Sequence, residues 1–129
     1  MSCSVLIVED DPAMRRMMVD LLGARGIEAH PSESAEDALD ALRSRAFALV
    51  VTDIHLPAKD GFALVREMRA RRCAAPVVLM TSFGGREVAR EALRLGALGC
   101  LEKPFLPEEL YALVDRALRP AAEGAAGPP

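Results

Sequence analysis

Short apolar runs recur along the chain, separated by longer segments in which apolar and polar residues alternate with helical spacing. Runs of this kind, bounded by polar or turn-forming residues, are typical of strands buried on both faces of a parallel sheet. A weaker run at residues 27–30 is predicted to be a short second strand. The strongly apolar runs are residues 5–8, 48–51 and 77–80, followed by the shorter run 100–101.

The segments between these runs predict amphipathic helices. The first helix is expected to begin at Pro12, with Asp11 as its cap, because proline suits the first helical position. Ser34 is predicted to cap the second helix. The last helix is predicted to begin at Pro107 and to start loosely, because Leu106 has no side-chain oxygen to cap it. The predicted inward residues of the first helix are Met14, Met17, Met18, Leu21 and Leu22.

Five strands alternating with five helices predict an α/β fold with a doubly wound parallel sheet. Right-handed crossovers favour the flavodoxin-like (βα)5 arrangement with strand order 2-1-3-4-5. We predict one domain over residues 1–119 of the 129-residue chain. Residues 120–129 contain only Pro, Ala, Gly and Glu, which predicts a flexible tail or linker.

Composition and charge exclude several classes of function. The net charge of −3 gives no positive field for binding nucleic acid or an anionic membrane. The sequence has no apolar stretch long enough to span a bilayer and no signal peptide at its start, so we expect a cytoplasmic protein. Cys3, Cys73 and Cys100 are odd in number and widely spaced, which predicts buried or inert thiols rather than disulfides or a zinc site.

Reactive side chains stand at the ends of four predicted strands: Asp10 and Asp11, then Asp53, Thr81 and Lys103. Ligands of open α/β sheets bind at the carboxyl ends of the strands, so these groups should converge there. Three carboxylates suit a divalent cation, and a hydroxyl with an ammonium suits a phosphoryl group. Taken singly, each has a simpler interpretation as a helix cap, turn residue, strand-end hydroxyl or surface lysine. The joint pattern favours phosphoryl transfer to Asp53 as nucleophile.

The complete set of motifs resembles the receiver domain of bacterial two-component response regulators. The resemblance covers approximately residues 4–119, and its finer details are similar to nitrogen-regulator-type transcription activators. The matching segments are Val8-Glu9-Asp10-Asp11, Asp53-Ile54-His55-Leu56-Pro57, Asp60-Gly61, Met80-Thr81-Ser82, Gly96-Ala97 and Lys103-Pro104-Phe105.

The resemblance implies a function and a site. Asp53 is implied to be the phosphoacceptor, assisted by Thr81 and Lys103, in a reaction that requires Mg²⁺ or Mn²⁺. Asp11 is implied to bind the cation directly, and Asp10 largely through water. The implied cation ligands are Asp10, Asp11, Asp53 and the backbone carbonyl of His55.

The resemblance also implies a switch. Thr81 is expected to move toward the phosphoryl group, but Cys100 stands where the family usually has tyrosine or phenylalanine. Either the switch works through Thr81 and the backbone alone, or the domain signals weakly. His55 and Phe83 occupy positions that tune the lifetime of the phosphoryl group, and the peptide bond before Pro104 is a candidate cis bond.

The implied partners are a histidine kinase or phosphotransfer protein and an output protein or domain. The output partner is expected to bind the face formed by the fourth helix, fifth strand and last helix. A homodimer that forms through the same face is also compatible with the resemblance. Such a domain catalyses only its own phosphorylation and dephosphorylation, so we expect no enzyme activity on a separate substrate.

Two alternative functions are compatible with an α/β fold of this kind. A pseudo-receiver would use the same fold as an interaction module without phosphorylation, which Cys100 favours and the acidic residues oppose. A flavin carrier or an aspartyl phosphatase is disfavoured, because Asp10 and Asp11 would repel a flavin phosphate. Familiar aspartyl phosphatases also have a second aspartate two residues after the nucleophile, and His55 occupies that position here.

Overall fold

A five-stranded parallel sheet forms the centre of the computed structural model, which describes residues 4–119. Its strand order, β2-β1-β3-β4-β5, confirms the predicted flavodoxin-like topology. The predicted tail at residues 120–129 lies outside the described part of the chain. In chain order the elements are β1 (Ser4–Val8), α1 (Pro12–Gly23), β2 (Glu28–Ser32), α2 (Ala35–Ser44), β3 (Leu49–Asp53), α3 (Gly61–Ala70), β4 (Val77–Thr81), α4 (Arg86–Arg94), β5 (Gly99–Glu102) and α5 (Pro107–Leu118).

The sheet divides the core into two layers, because successive side chains of a strand point to opposite faces. Leu6 and Val8 pack into the layer that also contains Leu39 of α2 and Leu64 of α3. Alternate residues of β1 pack into the opposite layer, with buried residues of α1 and α5. Both faces of the strand are therefore buried, which explains why its sequence is continuously apolar rather than alternating. Within residues 4–119, each helix is too short or too polar to cross a lipid bilayer.

Several local predictions were wrong. The second strand runs over Glu28–Ser32 and not 27–30; Pro31 is tolerated because β2 lies at the sheet edge. In α1, Met17 is 40% exposed, since the helix buries a stripe narrower than the predicted inward face. Cys100 is exposed on the edge strand β5, where its neighbour Leu101 takes the inward position. Cys73 is half-buried, so neither of these two cysteines is fully buried; that they are inert stays a prediction, and Cys3 lies outside the described residues.

The start of α5 is held, which contradicts the loose start predicted from Leu106. The carboxylate of Glu109 accepts a hydrogen bond from the Leu106 backbone N–H at 2.9 Å. The Glu109 backbone N–H in turn donates to the Leu106 carbonyl at 2.9 Å. Glu109, the third residue of the helix, therefore caps the helix start, which Leu106 cannot do because it has no side-chain oxygen.

Ser34 caps α2 as predicted, because its Oγ accepts a hydrogen bond from the Asp37 N–H at 3.1 Å. We expect Ser34→Ala to lower the free energy of unfolding by about 1 kcal/mol, since a helix donor loses its partner. Ser44→Ala at the other end of α2 is the matched control, because its Oγ only donates to the Ala41 carbonyl at an exposed position. Urea denaturation followed by circular dichroism measures both variants. Equal stabilities for the two variants would contradict the capping role.

Candidate functional site

Polar side chains from neighbouring strands converge at the carboxyl edge of the sheet. Val8 of β1 is in register with Thr52 of β3, so Glu9 lies beside Asp53. Thr81 ends β4, the next strand across the sheet. Glu9, Asp53 and Thr81 are only 1%, 6% and 0% exposed. Buried polar side chains are uncommon unless they are paired, and their concentration here marks the site.

Lys103 links two of the buried carboxylates. Its Nζ donates to Glu9 Oε1 and to Asp53 Oδ2, both at 2.6 Å. Burial alone would lower the pKa of Lys103, but the hydrogen bonds and charges of Asp53 and Glu9 outweigh it, so the pKa is raised. Burial raises the pKa of Glu9, and the nearby charge of Asp53 adds to this, while Lys103 acts in the opposite direction. The ammonium is therefore firmly charged among the acids.

Glu9, Asp10 and Asp53 form an acidic group in which each residue offers a carboxylate oxygen within 4.8 Å of the others. Oxygen donors of this kind are the ligands that hard divalent cations such as Mg²⁺ prefer. A cation there would relieve both the mutual repulsion and the burial of charge. The donor chemistry therefore fits the implied cation.

Asp11 does not belong to this acidic group, which corrects the predicted ligand set. Its backbone N–H donates to Glu9 Oε2 at 3.1 Å, and the residue is the exposed N-cap of α1, without a side-chain capping bond. The reason is the strand end: β1 stops at Val8, so the first carboxylate beyond it is Glu9. Counting one position past the last apolar residue would have found Glu9 in the sequence.

The Thr81 hydroxyl contacts two residues at the edge of the site, His55 and Phe83. Its Oγ1 accepts a hydrogen bond from the Phe83 N–H at 3.0 Å and lies 3.3 Å from His55 Nε2. The His55 backbone N–H donates to Asp53 Oδ1 at 2.9 Å. The His55 and Phe83 rings meet edge to face, and Phe83 is 76% exposed. Both predicted tuning residues thus stand at the rim of the site.

Helix α3 begins directly against the backbone of Asp53. The Gly61 N–H donates to the Ile54 carbonyl at 2.8 Å. A Cβ atom at Gly61 would lie 2.4 Å from the Asp53 carbonyl oxygen and 2.8 Å from the Ile54 Cα. Only glycine allows this close approach, which fixes the position of Asp53.

The loop between β3 and α3 is fastened at two points. The Asp60 carboxylate caps α3 by accepting from the Ala63 N–H at 2.8 Å. Lys59 forms an ion pair with Glu67 of α3. Hydrogen bonds from Lys59 and Arg71 lower the pKa of Glu67. The ammonium of Lys59 is therefore paired within the loop and α3, away from the acidic group.

Cys100 borders a cavity of about 290 Å³ beside Thr81. Although the residue is exposed overall, partial burial of the Cys100 thiol, together with the charge of Glu102, raises its pKa. The Lys103–Pro104 peptide bond is cis, as predicted. The Lys103 N–H donates to the Thr81 carbonyl at 2.8 Å, so β4 and β5 are joined beside the reactive groups.

Sequences of known proteins align with this chain over most of its length. A family model for the response regulator receiver domain matches residues 5–115. The transcriptional regulatory protein FixJ of Bradyrhizobium diazoefficiens is 36% identical over 121 residues, covering 94% of this chain and 59% of FixJ. The response regulator FleR of Pseudomonas aeruginosa is 43% identical over 116 residues, covering 90% of this chain and 24% of FleR. The regulator NtrC of Klebsiella pneumoniae is 36% identical, covering 87% of this chain and 24% of NtrC.

Solved structures agree with this relationship. Chemotaxis protein CheY4 of Vibrio cholerae superimposes with a TM-score of 0.86 at 28% identity, covering 92% of this chain and all (100%) of CheY4. A two-component response regulator from Clostridium difficile gives a TM-score of 0.87 at 28% identity, covering 93% and 98% of the two chains. The chain therefore belongs to the response regulator receiver domain family of two-component systems, with NtrC-type activators among its relatives.

Proposed function

We propose that this receiver domain is phosphorylated on Asp53 in a reaction that depends on a divalent cation. The observation that carries the proposal is the environment of the Asp53 carboxylate, which is nearly buried and is held by two hydrogen-bond donors. One oxygen accepts from the Lys103 ammonium at 2.6 Å and the other from the His55 N–H at 2.9 Å. The carboxylate is thus held in one orientation by two donors, which suits a nucleophile.

The proposed step transfers a phosphoryl group from a phosphohistidine of a partner protein. A bond forms between an Asp53 carboxylate oxygen and phosphorus, and the bond between phosphorus and the histidine nitrogen breaks. The electron pair of the broken bond stays on the imidazole, which takes up a proton. Lys103 lies where it can neutralise charge on the phosphoryl oxygens, and the Thr81 hydroxyl can donate to them.

Glu9, Asp10 and Asp53 are the residues that would hold Mg²⁺ or Mn²⁺, and the backbone carbonyl of His55 remains a predicted additional ligand. When bound, the cation would neutralise negative charge that otherwise opposes the approach of a phosphoryl group. The proximity of the three carboxylates, which each offer an oxygen within 4.8 Å of the others, supports this assignment.

The proposed partners are a histidine kinase or phosphotransfer protein and an output partner on the face of α4, β5 and α5. Helix α4 has only Ala92 buried among its described residues, and Leu93 is 76% exposed. Leu106, before α5, is 63% exposed. A weakly packed helix with exposed apolar side chains suits a surface that changes between two conformations, whose populations shift on phosphorylation. A homodimer could form through the same surface. We propose that the domain catalyses only its own phosphorylation and dephosphorylation and acts on no separate substrate.

A pseudo-receiver is the second candidate, and Cys100 is the observation that favours it. Its side chain is smaller than the aromatic residue usual in the family, and it stands exposed beside the cavity next to Thr81. The domain would then bind its partner without being modified. The two candidates differ in whether Asp53 gains a phosphoryl group.

Intact-mass spectrometry after incubation with acetyl phosphate and Mg²⁺ tests the proposal. We expect the wild type to gain the mass of one phosphoryl group, and a chelator to prevent the gain. Asp53→Ala is expected to gain nothing, because the nucleophile is lost. Asp40→Ala, at an exposed position of α2, is the matched control and should behave as the wild type. No gain in the wild type would favour the pseudo-receiver.

A further inference from the structure

Arg15 of α1 contacts the backbone that carries two of the three acids. Its Nη1 donates to the Glu9 carbonyl at 2.8 Å and lies 3.3 Å from the Asp10 carbonyl. The Arg15 side chain is 20% exposed, whereas that of its neighbour Arg16 is 83% exposed. Adjacent arginines of one helix thus have different surroundings, and only the first reaches the acidic group's backbone.

The segment that Arg15 contacts, Glu9 and Asp10, lies between the end of β1 and the start of α1. Its carbonyls have left the sheet ladder, so they need donors from elsewhere. The Glu9 N–H still donates to the Ser32 carbonyl at 3.0 Å, which ties one side of the segment to β2. Arg15 ties the other side, and its guanidinium also lies 3.9 Å from the Glu33 carboxylate in the loop after β2. The segment is held from both sides.

The backbone clamp bears directly on the acid side chains. The Glu9 carboxylate uses its two oxygens separately, one for Lys103 at 2.6 Å and one for the Asp11 N–H at 3.1 Å. Rotation of the peptide planes around Glu9 and Asp10 would change where both carboxylates point. Mutual repulsion favours such a rotation, because the acids lie within 4.8 Å of one another.

We propose that Arg15 is a positioning residue of the acidic site, holding the Glu9 and Asp10 peptides so that both carboxylates face Asp53. This inference rests on the proposed function insofar as the acidic group binds a divalent cation. The guanidinium presents several donors in a rigid plane and can bridge two carbonyls, which an ammonium on a flexible stem does less well. Arg15 is not hydrogen-bonded to the carboxylate oxygens of Glu9, Asp10 or Asp53, so it acts through the backbone carbonyls.

The first measurement needs no cation. Amide hydrogen exchange at Asp11 in the metal-free 129-residue chain, followed by NMR, reports whether the Glu9 carboxylate keeps its orientation, since the Asp11 N–H donates to it. We expect faster exchange in Arg15→Gln, an intermediate rate in Arg15→Lys and an unchanged rate in Arg16→Gln. Thermal unfolding of each variant shows that the fold persists. An unchanged exchange rate in folded Arg15→Gln would overturn the positioning role.

The second measurement is Mg²⁺ binding by calorimetry with the same four proteins. We expect Arg15→Gln to weaken binding by about 10-fold, as loss of a residue supporting metal ligands does. Arg16→Gln should bind as the wild type. Wild-type Mg²⁺ affinity in Arg15→Lys would show that only the positive charge matters, which would overturn the proposed positioning by the guanidinium. A wild type that binds no Mg²⁺ overturns the proposed cation site, whereas the exchange measurement still decides the role of Arg15. Should Arg15→Gln fail to fold, Arg15→Lys decides it alone.

Discussion

Replacing Lys103 with methionine is expected to slow phosphoryl transfer from acetyl phosphate to Asp53 by about 100- to 1000-fold, the usual cost of losing one group that stabilises developing charge. Methionine keeps the length of the side chain but removes the ammonium. That ammonium lies 2.6 Å from Asp53 Oδ2 and 2.6 Å from Glu9 Oε1. Without it, an incoming phosphoryl group loses the side-chain ammonium that offsets the carboxylates of the site.

Initial rates of phosphoprotein formation, measured by intact mass at fixed Mg²⁺, provide the test. Lys59→Met is the matched control, because the Lys59 ammonium is paired with Glu67 in the loop and α3. Its transfer rate should stay close to that of the wild type. A Lys103→Met variant that transfers at the wild-type rate would contradict the proposed role of the ammonium.

Gly61→Ala is expected to lower the free energy of unfolding by about 2 to 3 kcal/mol, the upper part of the range for overpacking a tight site. The new methyl group would lie 2.4 Å from the Asp53 carbonyl oxygen and 2.8 Å from the Ile54 Cα. Both are backbone atoms, so neither can rotate away. Relief requires a shift of α3 or of Asp53 itself, and the rate of phosphoryl transfer should therefore fall as well.

Gly23→Ala is the control for this second prediction. A Cβ atom at Gly23 would meet no atom within 4 Å, and the position ends α1, where alanine is a better helix former than glycine. We expect unchanged or slightly increased stability there. Urea denaturation with equal slopes for all three proteins gives the comparison. Equal stability of Gly61→Ala and the wild type would show that α3 can move without cost.

The sequence predicted the sheet and most of the site for one physical reason. A strand buried on both faces must be apolar throughout, so its end is marked by the first polar residue. Thr81 is the first polar residue of β4, Asp53 ends β3 after the buried Thr52, and Lys103 directly follows the fifth strand. Parallel order then brings all three to the same edge, as the hydrogen bond between Lys103 and Asp53 shows.

Features that depend on one residue's position were less predictable. Glu9, Asp10 and Asp11 are three successive acids, and composition does not tell which of them faces Asp53. The end of the apolar run points to Glu9 as the first of them, but whether Asp10 or Asp11 joins it depends on the backbone beyond β1, where Asp11 becomes the N-cap of α1. Similarly, the exposure of Met17 depends on how closely α1 lies against the sheet, because helical periodicity defines a face but not its width.

The hydrogen bonds of Lys103 have a consequence for how this domain is made and stored. Two buried carboxylates already share an internal counterion, supplied by a residue late in the chain. The chain thus supplies countercharge for these acids itself, so we expect it to fold without a bound metal. Protein stored without divalent cations is then expected to stay intact rather than to unfold.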